Sequence, residues 1–434
     1  MIAEPTRLAI LSMHTDPLAP LGGDFTGGMN VYAREVAKAL ASLGVGADIF
    51  TRLESVSSER QVTIADGSRL IRIEAGPKER LDKDAQVEWA DAFAEGILAF
   101  AENDGARYDG VSVHYWLSSL AGEKLSEAWG VPLAVRFHTL AALKNDALPA
   151  DTRHESDVRL EREPALAQAA DAVLTSSPAE ARAIGEISGA AEVHVVPCGV
   201  DLETFRPHPR DEARARLGLR ENGAYILNVG RIERVKGLDR LVEAFAVMRR
   251  ERPGLDARLL HLGGEIREGA QKVEGSYHAG DFASPAQGAE VARLEELAHG
   301  LGVSDAVIFS GAKPQEDLPL YYSAADIFAL PSRYESFGMT AVEAAACGAP
   351  TLAFDVGGLS QAVSENVSGH LIADSDITAY AKKMIAMLEN PPERPHRAAL
   401  EWAELFAWTR IAEAELEIWA RLRQGAALTS PHAS

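Results

Sequence analysis

The sequence predicts an α/β protein of two doubly wound domains, each a largely parallel sheet with helices on both faces. Three observations lead there. At 434 residues the chain exceeds what one hydrophobic core usually supports, so two units of roughly 200 residues are expected. Short apolar runs alternate with helix-length runs, and the alternation occurs twice. In each half a glycine-containing turn separates the opening apolar run from its helix.

In the first half Leu8–Met13 reads as a strand, Leu21–Gly28 as a Gly-rich loop and Met29–Leu43 as a helix that Gly44 ends. Ala47–Thr51, Gly110–His114, Leu133–Phe137, Ala172–Thr175 and Glu192–Val196 supply further strands. Pro and Gly then cluster at 197–201, ahead of Arg206-Pro-His-Pro209, and mark a boundary. We expect residues 1–198 to form the first domain and 199–407 the second. The second opens with Tyr225–Val229, a turn at Gly230 and a helix from Leu238 to Arg250. Leu259–Leu262, Ala306–Phe309, Ile327–Leu330 and Thr351–Phe354 continue it as buried strands. Gly263–Gly288, rich in Gly, Glu and Ser, reads as a mobile surface excursion. Ala398–Arg423 is amphipathic at helical spacing, with Trp402, Phe406, Trp408, Ile411 and Trp419 available as anchors, and 424–434 reads as a frayed tail.

Acidic residues outnumber basic ones by 64 to 43, and the resulting net charge of −21 disfavours nucleic acid and anionic membranes as partners. An anionic substrate would need a local basic pocket. Cys198 and Cys347 form no CxxC pair and suit a reducing cytoplasm. The apolar stretch near the start is too short for a signal peptide, and no window approaches the roughly 20 apolar residues of a membrane span.

Chemistry-bearing residues gather at the predicted carboxyl ends of strands, the rim where open α/β sheets bind ligands. Gly22–Asn30 lies between a strand and a helix, where glycines let backbone approach a phosphate or sugar. It is not GxGxxG, and no acidic residue ends the second strand, which argues against a nicotinamide cofactor. Arg231 and Lys236, in the turn 230–237, stand where two cations would neutralise a diphosphate. Glu335 precedes the turn Ser336–Gly338, and Glu343 falls within the helix Met339–Cys347. Two carboxylates there suit sugar and ribose hydroxyls, although a glycosidase-like acid–base pair has the same composition. His114, Tyr115, His138 and Thr139 sit at two first-half strand ends. Lys83 and Arg159 read by themselves as surface charges. No HExxH, GxSxG or close His/Cys set appears, so neither a metal nor a serine triad is expected.

Taken together, GGMNVY (27–32), HYWLS (114–118), FHTLAALKN (137–145), PCGVD (197–201), GRIERVKG (230–237) and ESFGMTAVEAAACGAP (335–350) resemble the family 4 retaining glycosyltransferases of GT-B architecture. The likeness runs in order over almost the whole chain. It implies two Rossmann-like domains facing a cleft, the nucleotide sugar on the second, the acceptor on the first, and a last helix, about 408–434, crossing back to the first domain. It assigns Arg231 and Lys236 to the donor diphosphate and Glu343 to the ribose. Glu335, with Ser336, Phe337 and Gly338, would hold the transferred sugar, His138 would face its reacting carbon, and Gly28 would close over the diphosphate. Within the family, the inositol-phosphate N-acetylglucosaminyltransferases of mycothiol synthesis and the sucrose-phosphate synthases look most similar. By that likeness Lys83, Tyr115, Thr139 and Arg159 would bind the acceptor's phosphate, with Asn30 near its ring.

The expectation is therefore a metal-independent, cytoplasmic, retaining hexosyltransferase without a cofactor. It would move a hexosyl or N-acetylhexosaminyl group from a uridine-type nucleotide sugar to a small phosphorylated acceptor, with assembly as a homodimer left open. Two other readings stay open: synthesis of a lipid-linked or extracellular glycan, and a non-catalytic sugar-nucleotide-binding protein. A phosphorylase-like reaction shares the fold but wants a pyridoxal-bearing lysine that the sequence does not display.

Overall fold

The fold comes from a computed structural model that describes residues 6–429, apart from 24–25, 153, 191, 274 and 393–395, with no side chains for 425–429. Its first sheet comprises β1 (Arg7–Leu11), β2 (Gly46–Arg52), β3 (Gln61–Ala65), β4 (Ser68–Ile73), β5 (Val111–His114), β6 (Leu133–Arg136), β7 (Ala172–Thr175) and β8 (Val193–Val195). Their order across the sheet is β3-β4-β2-β1-β5-β6-β7-β8, parallel except for the β3–β4 hairpin. The second sheet comprises β9 (Ala224–Val229), β10 (Ala257–Leu262), β11 (Val307–Phe309), β12 (Ile327–Leu330), β13 (Thr351–Phe354) and β14 (Gly369–Ile372). It is ordered β11-β10-β9-β12-β13-β14 and is parallel throughout. The central strands read as continuous apolar runs because both faces are covered: β6, β7, β12 and β13 are buried along their whole length.

The doubly wound fold with a returning last helix is as expected. The helix Trp408–Thr429 packs against the helix Gly28–Ser42. Its Glu415 receives hydrogen bonds from the buried Tyr32 hydroxyl and from Arg136 at the end of β6. Trp419, 1% exposed, lies so close over Gly110 that an added Cβ there would stand 2.4 Å from the indole.

Several expectations need correcting. The hairpin β3–β4 and strand β14 were not foreseen; both are half-solvated, so their apolar pattern is weak, although Asp66-Gly67 is a strong hairpin-turn signal. Gly263–Gly288 is an anchored segment: Phe282 is 1% exposed, Ile266 bridges to Phe282, and the Tyr277 amide donates to the Phe309 carbonyl at 2.8 Å. Its Gly content reflects tight turns. The amphipathic stretch 398–423 breaks into Arg397–Glu404 and Trp408–Thr429. At the break the Val200 amide donates to the Phe406 carbonyl at 2.7 Å, so the outgoing and returning connections lie side by side. The end reads as helix to Thr429 and not as a tail frayed from 424; residues 430–434 lie outside the described part.

Candidate functional site

Strand order locates the site before any side chain is considered. In each sheet the winding reverses between two neighbouring strands, β1/β5 in the first and β9/β12 in the second. A crevice opens at the carboxyl ends of such pairs, because their connections leave to opposite faces. The loops after β1, β5, β9 and β12 are those that carry Gly28, Tyr115, Arg231 and Glu335, and all four residues line one cleft between the sheets. Asp24 and Phe25, within the Gly-rich loop, lie outside the described residues.

On the second-domain wall, Arg231 pairs with Glu233 at 2.5 Å and Lys236 with Glu335 at 2.7 Å. Ser332 also donates to Glu335, at 2.8 Å. Ser336 and Phe337 form the bend into the helix Met339–Ala346, and Gly338 at its start holds a φ of 101°. Gly338, Met339 and Thr340 at that helix start line the cleft, and a helix N-terminus is a favourable place for anionic oxygens. Phe337 is buried and packs on Phe406 with ring centroids 5.5 Å apart. Glu343, one turn into the helix, accepts from Tyr322 at 2.8 Å; burial raises its pKa to about 7.

On the first-domain wall one guanidinium organises the group. Arg159 donates to the Tyr115 hydroxyl at 2.9 Å and to Thr139 Oγ1 at 3.0 Å, while Lys83 lies 5.2 Å from the Tyr115 ring centroid. Residues assembled from separate segments of the sequence thus converge, and Lys83 and Arg159 are not surface charges. Burial lowers the Lys83 pKa to about 8. Arg159 is already paired with Glu155 at 2.8 Å and Glu163 at 2.6 Å. Lys144 in turn holds Glu155 at 2.7 Å.

Tyr115 and His138 both have positive φ, 73° and 64°. Strain of this kind on bulky residues persists where surrounding structure imposes it, and it turns both side chains off their strand ends. A ring nitrogen of His138 lies 2.8 Å from one of His114. Burial first, then the neighbouring His114 and Arg136, holds His138 neutral at physiological pH.

The Gly-rich loop spans the two walls. Gly28 begins the helix Gly28–Ser42, with Met339 of the other domain 3.2 Å from where its Cβ would stand. Gln287 of the second domain donates to the Gly22 carbonyl at 3.1 Å, and Arg34 to Gln315 at 2.7 Å. Asn30 lines the same cleft and also serves the loop. It is fully buried, donates to Thr15 Oγ1 and the Asp16 carbonyl, and accepts the Gly27 amide, so it fastens the loop.

Among the cleft residues that sequence reasoning missed are His14, Lys144, Glu155 and Glu233. Glu155 and Glu163 flank Arg159 at a spacing of four, an ion-pair signal that was readable. His14, its ring tilted against Tyr115 with centroids 4.4 Å apart and kept neutral by burial, carried no signal beyond its place after the first strand. Among the described residues no group of three or more His, Cys, Asp and Glu could hold a metal ion, and no helix is long and apolar enough to cross a membrane.

Comparison with known proteins adds the following. A family model described as Glycosyl transferases group 1 matches residues 209–401, and a glycosyl transferase 4-like domain matches 27–199. The chain is 38% identical to the D-inositol 3-phosphate glycosyltransferase of Nocardiopsis dassonvillei, over 96% of this chain and 95% of that protein. It superposes on sucrose-phosphate synthase from Thermosynechococcus elongatus with a TM-score of 0.84 and 30% identity, covering 97% of this chain and all of the other. Anabaena HepE, solved with UDP-glucose, shares the fold at a TM-score of 0.70 and 20% identity, over 96% of this chain and 99% of that one.

Proposed function

The chain belongs to the group 1 glycosyl transferases, and from that premise we propose that it moves a hexosyl or N-acetylhexosaminyl group from a uridine-type nucleotide sugar to a small phosphorylated acceptor, an inositol phosphate or a sugar phosphate. The observation that carries this reading is the Arg159 cluster, where Tyr115, Thr139 and Lys83 meet across the cleft from Arg231 and Lys236. A protein of net charge −21 has little reason to assemble cations on both walls of one crevice unless two anions meet there. The relative named for inositol 3-phosphate supports a phosphorylated acceptor.

In this reading Arg231 and Lys236 meet the charge that develops on the diphosphate as the glycosidic bond breaks. Such preorganised charge is worth roughly tenfold to a thousandfold in turnover. Glu335, drawn against Lys236, accepts from the sugar's hydroxyls, and Glu343 from the ribose. Lys83 and Arg159 hold the acceptor phosphate so that one hydroxyl faces the anomeric carbon. His138, uncharged, is suited to a hydrogen bond with the transferred sugar but not to protonating the leaving group. The acceptor's proton passes to the departing phosphate on the same face, so anomeric configuration is retained without a dedicated protein base. With cations supplied by side chains the reaction is metal-independent, and the buried thiols of Cys198 and Cys347 suit the cytoplasm.

The test is a screen of uridine, guanosine and adenosine diphosphosugars against inositol and hexose phosphates, with product configuration read by NMR and a chelator arm. Turnover confined to unphosphorylated acceptors overturns the acceptor assignment. Arg231→Ala should cut turnover by at least about tenfold, and donor cleavage at an unchanged rate would remove Arg231 from the leaving-group role. Absence of turnover with any pair would favour a binding protein.

A further inference from the structure

The helix Pro178–Ser188 begins after Ser177, whose side chain accepts the Glu180 amide at 3.3 Å. Serine followed three residues later by glutamate is a common capping pattern, in which the carboxylate turns back on the helix start and stays hydrated. Glu180 departs from that pattern. It is 3% exposed, its Oε2 accepts the Ser176 amide at 3.0 Å, and its Oε1 makes no hydrogen bond of ordinary length. The side chain it addresses is Ser336, which belongs to the other domain and lines the cleft. The domains touch there: a Cβ on Gly358 would stand 2.8 Å from Ser177 Cβ and 2.0 Å from the Ser336 carbonyl oxygen.

We propose that Glu180 is a positioning residue for the donor loop: as a neutral acid it donates from Oε1 to Ser336 Oγ, which leaves the Ser336 hydrogen directed into the cleft toward a donor oxygen. The inference rests on the nucleotide-sugar reading above. Hydrogen-bond accounting supports it. The Tyr334 oxygen receives the Leu140 amide, so its hydroxyl hydrogen is available to Ser336 Oγ, 3.2 Å away. With Tyr334 and Glu180 occupying both lone pairs of Ser336, its own hydrogen has only the cleft to serve. An ionised Glu180 reverses this, drawing the Ser336 hydrogen to itself and leaving a charge at the domain contact.

Burial favours the neutral acid, raising the Glu180 pKa to about 7. The Ser176 amide, Arg136 and the Ser336 hydroxyl oppose that shift without cancelling it, and Glu163 reinforces it. Tyr334 and the Cys198 thiol also face it. Donor binding should therefore weaken as pH rises through about 7. Glu343 titrates in the same range with the opposite sign, since a ribose ligand gains from its charge, and Lys83 acts on the acceptor.

The experiment measures donor KM and kcat at saturating acceptor from pH 5.5 to 8.5 for the wild type, Glu180→Gln, Glu180→Ala and Ser336→Ala. The ratio of wild-type to Glu180→Gln donor KM should rise about tenfold on the alkaline side, the equivalent of one hydrogen bond lost, the Glu343 contribution being common to both. Glu180→Gln, whose amide nitrogen donates at every pH, should keep only the fall in KM that Glu343 ionisation brings; Glu180→Ala and Ser336→Ala should lie above it by a ratio that does not change with pH. An alkaline rise that persists in Glu180→Gln, or a Glu180→Gln that matches Glu180→Ala at pH 6, overturns the proposal. Should Glu180→Ala not fold, the Glu180→Gln profile decides alone. If no nucleotide sugar is turned over, the functional reading fails, and calorimetric binding of uridine diphosphate over the same pH range still decides the role of Glu180.

Discussion

Glu343→Gln should make this protein more stable at alkaline pH while making it a poorer enzyme. The Glu343 carboxyl is 6% exposed and has one hydrogen-bonding neighbour, the Tyr322 hydroxyl at 2.8 Å. Burial, only partly offset by that bond, raises its pKa from 4.5 to about 7. Below 4.5 the group is neutral in both folded and unfolded chains and costs nothing. Between 4.5 and 7 the unfolded chain ionises and the folded one does not, so stability falls as pH rises, and above 7 the loss is complete. At 1.36 kcal/mol per tenfold change in proton concentration, the whole interval corresponds to about 3 kcal/mol. Glutamine keeps an acceptor for Tyr322 and cannot ionise. Urea unfolding of both proteins at pH 5 and pH 8 gives the check, taking only the change in their difference, so that the Glu180 contribution, common to both, cancels. The variant should gain up to about 3 kcal/mol relative to the wild type between the two pH values, while donor KM rises. A difference that does not change with pH would refute the reasoning, as would a variant that loses ground at pH 8.

Two further outcomes follow. Lys83 attracts a phosphate only while protonated, so acceptor KM should climb above about pH 8, and Lys83→Met should raise it by roughly tenfold to a hundredfold and abolish the climb; a flat wild-type profile from pH 7 to 9 would contradict the assignment. At the interdomain crossing, a Cβ on Gly199 would stand 2.4 Å from the Trp408 indole, so Gly199→Ala should cost about 1–3 kcal/mol by overpacking, lowering Tm by roughly 2–10 °C in calorimetry. Adding Trp408→Leu should recover part of the loss, and an unchanged Tm in the single variant would show that the crossing yields.

Much of this was legible in the chain. Buried parallel strands such as Ile327–Leu330 announce themselves because both faces are apolar, and the loops at 230–237 and 331–338 follow theirs directly. The half-solvated hairpin Gln61–Ile73 lacked that contrast, and the anchored segment 263–288 looked mobile because its turns needed glycine and its one deep anchor, Phe282, stands alone among polar residues. Asn30 lines the cleft, and the fold alone shows that its amide also fastens the loop it belongs to.

What the sequence determined by itself was the buried parallel strands, their two-domain grouping and the family, because periodicity and motif spacing are local properties. What only the tertiary structure decided was which charges meet. Lys83, Tyr115, Thr139 and Arg159 come together because separate segments of the first domain pack at one rim, and Glu155 and Glu163 come with them. The protonation of Glu180 and Glu343 follows from burial, which arises only when distant segments exclude water together.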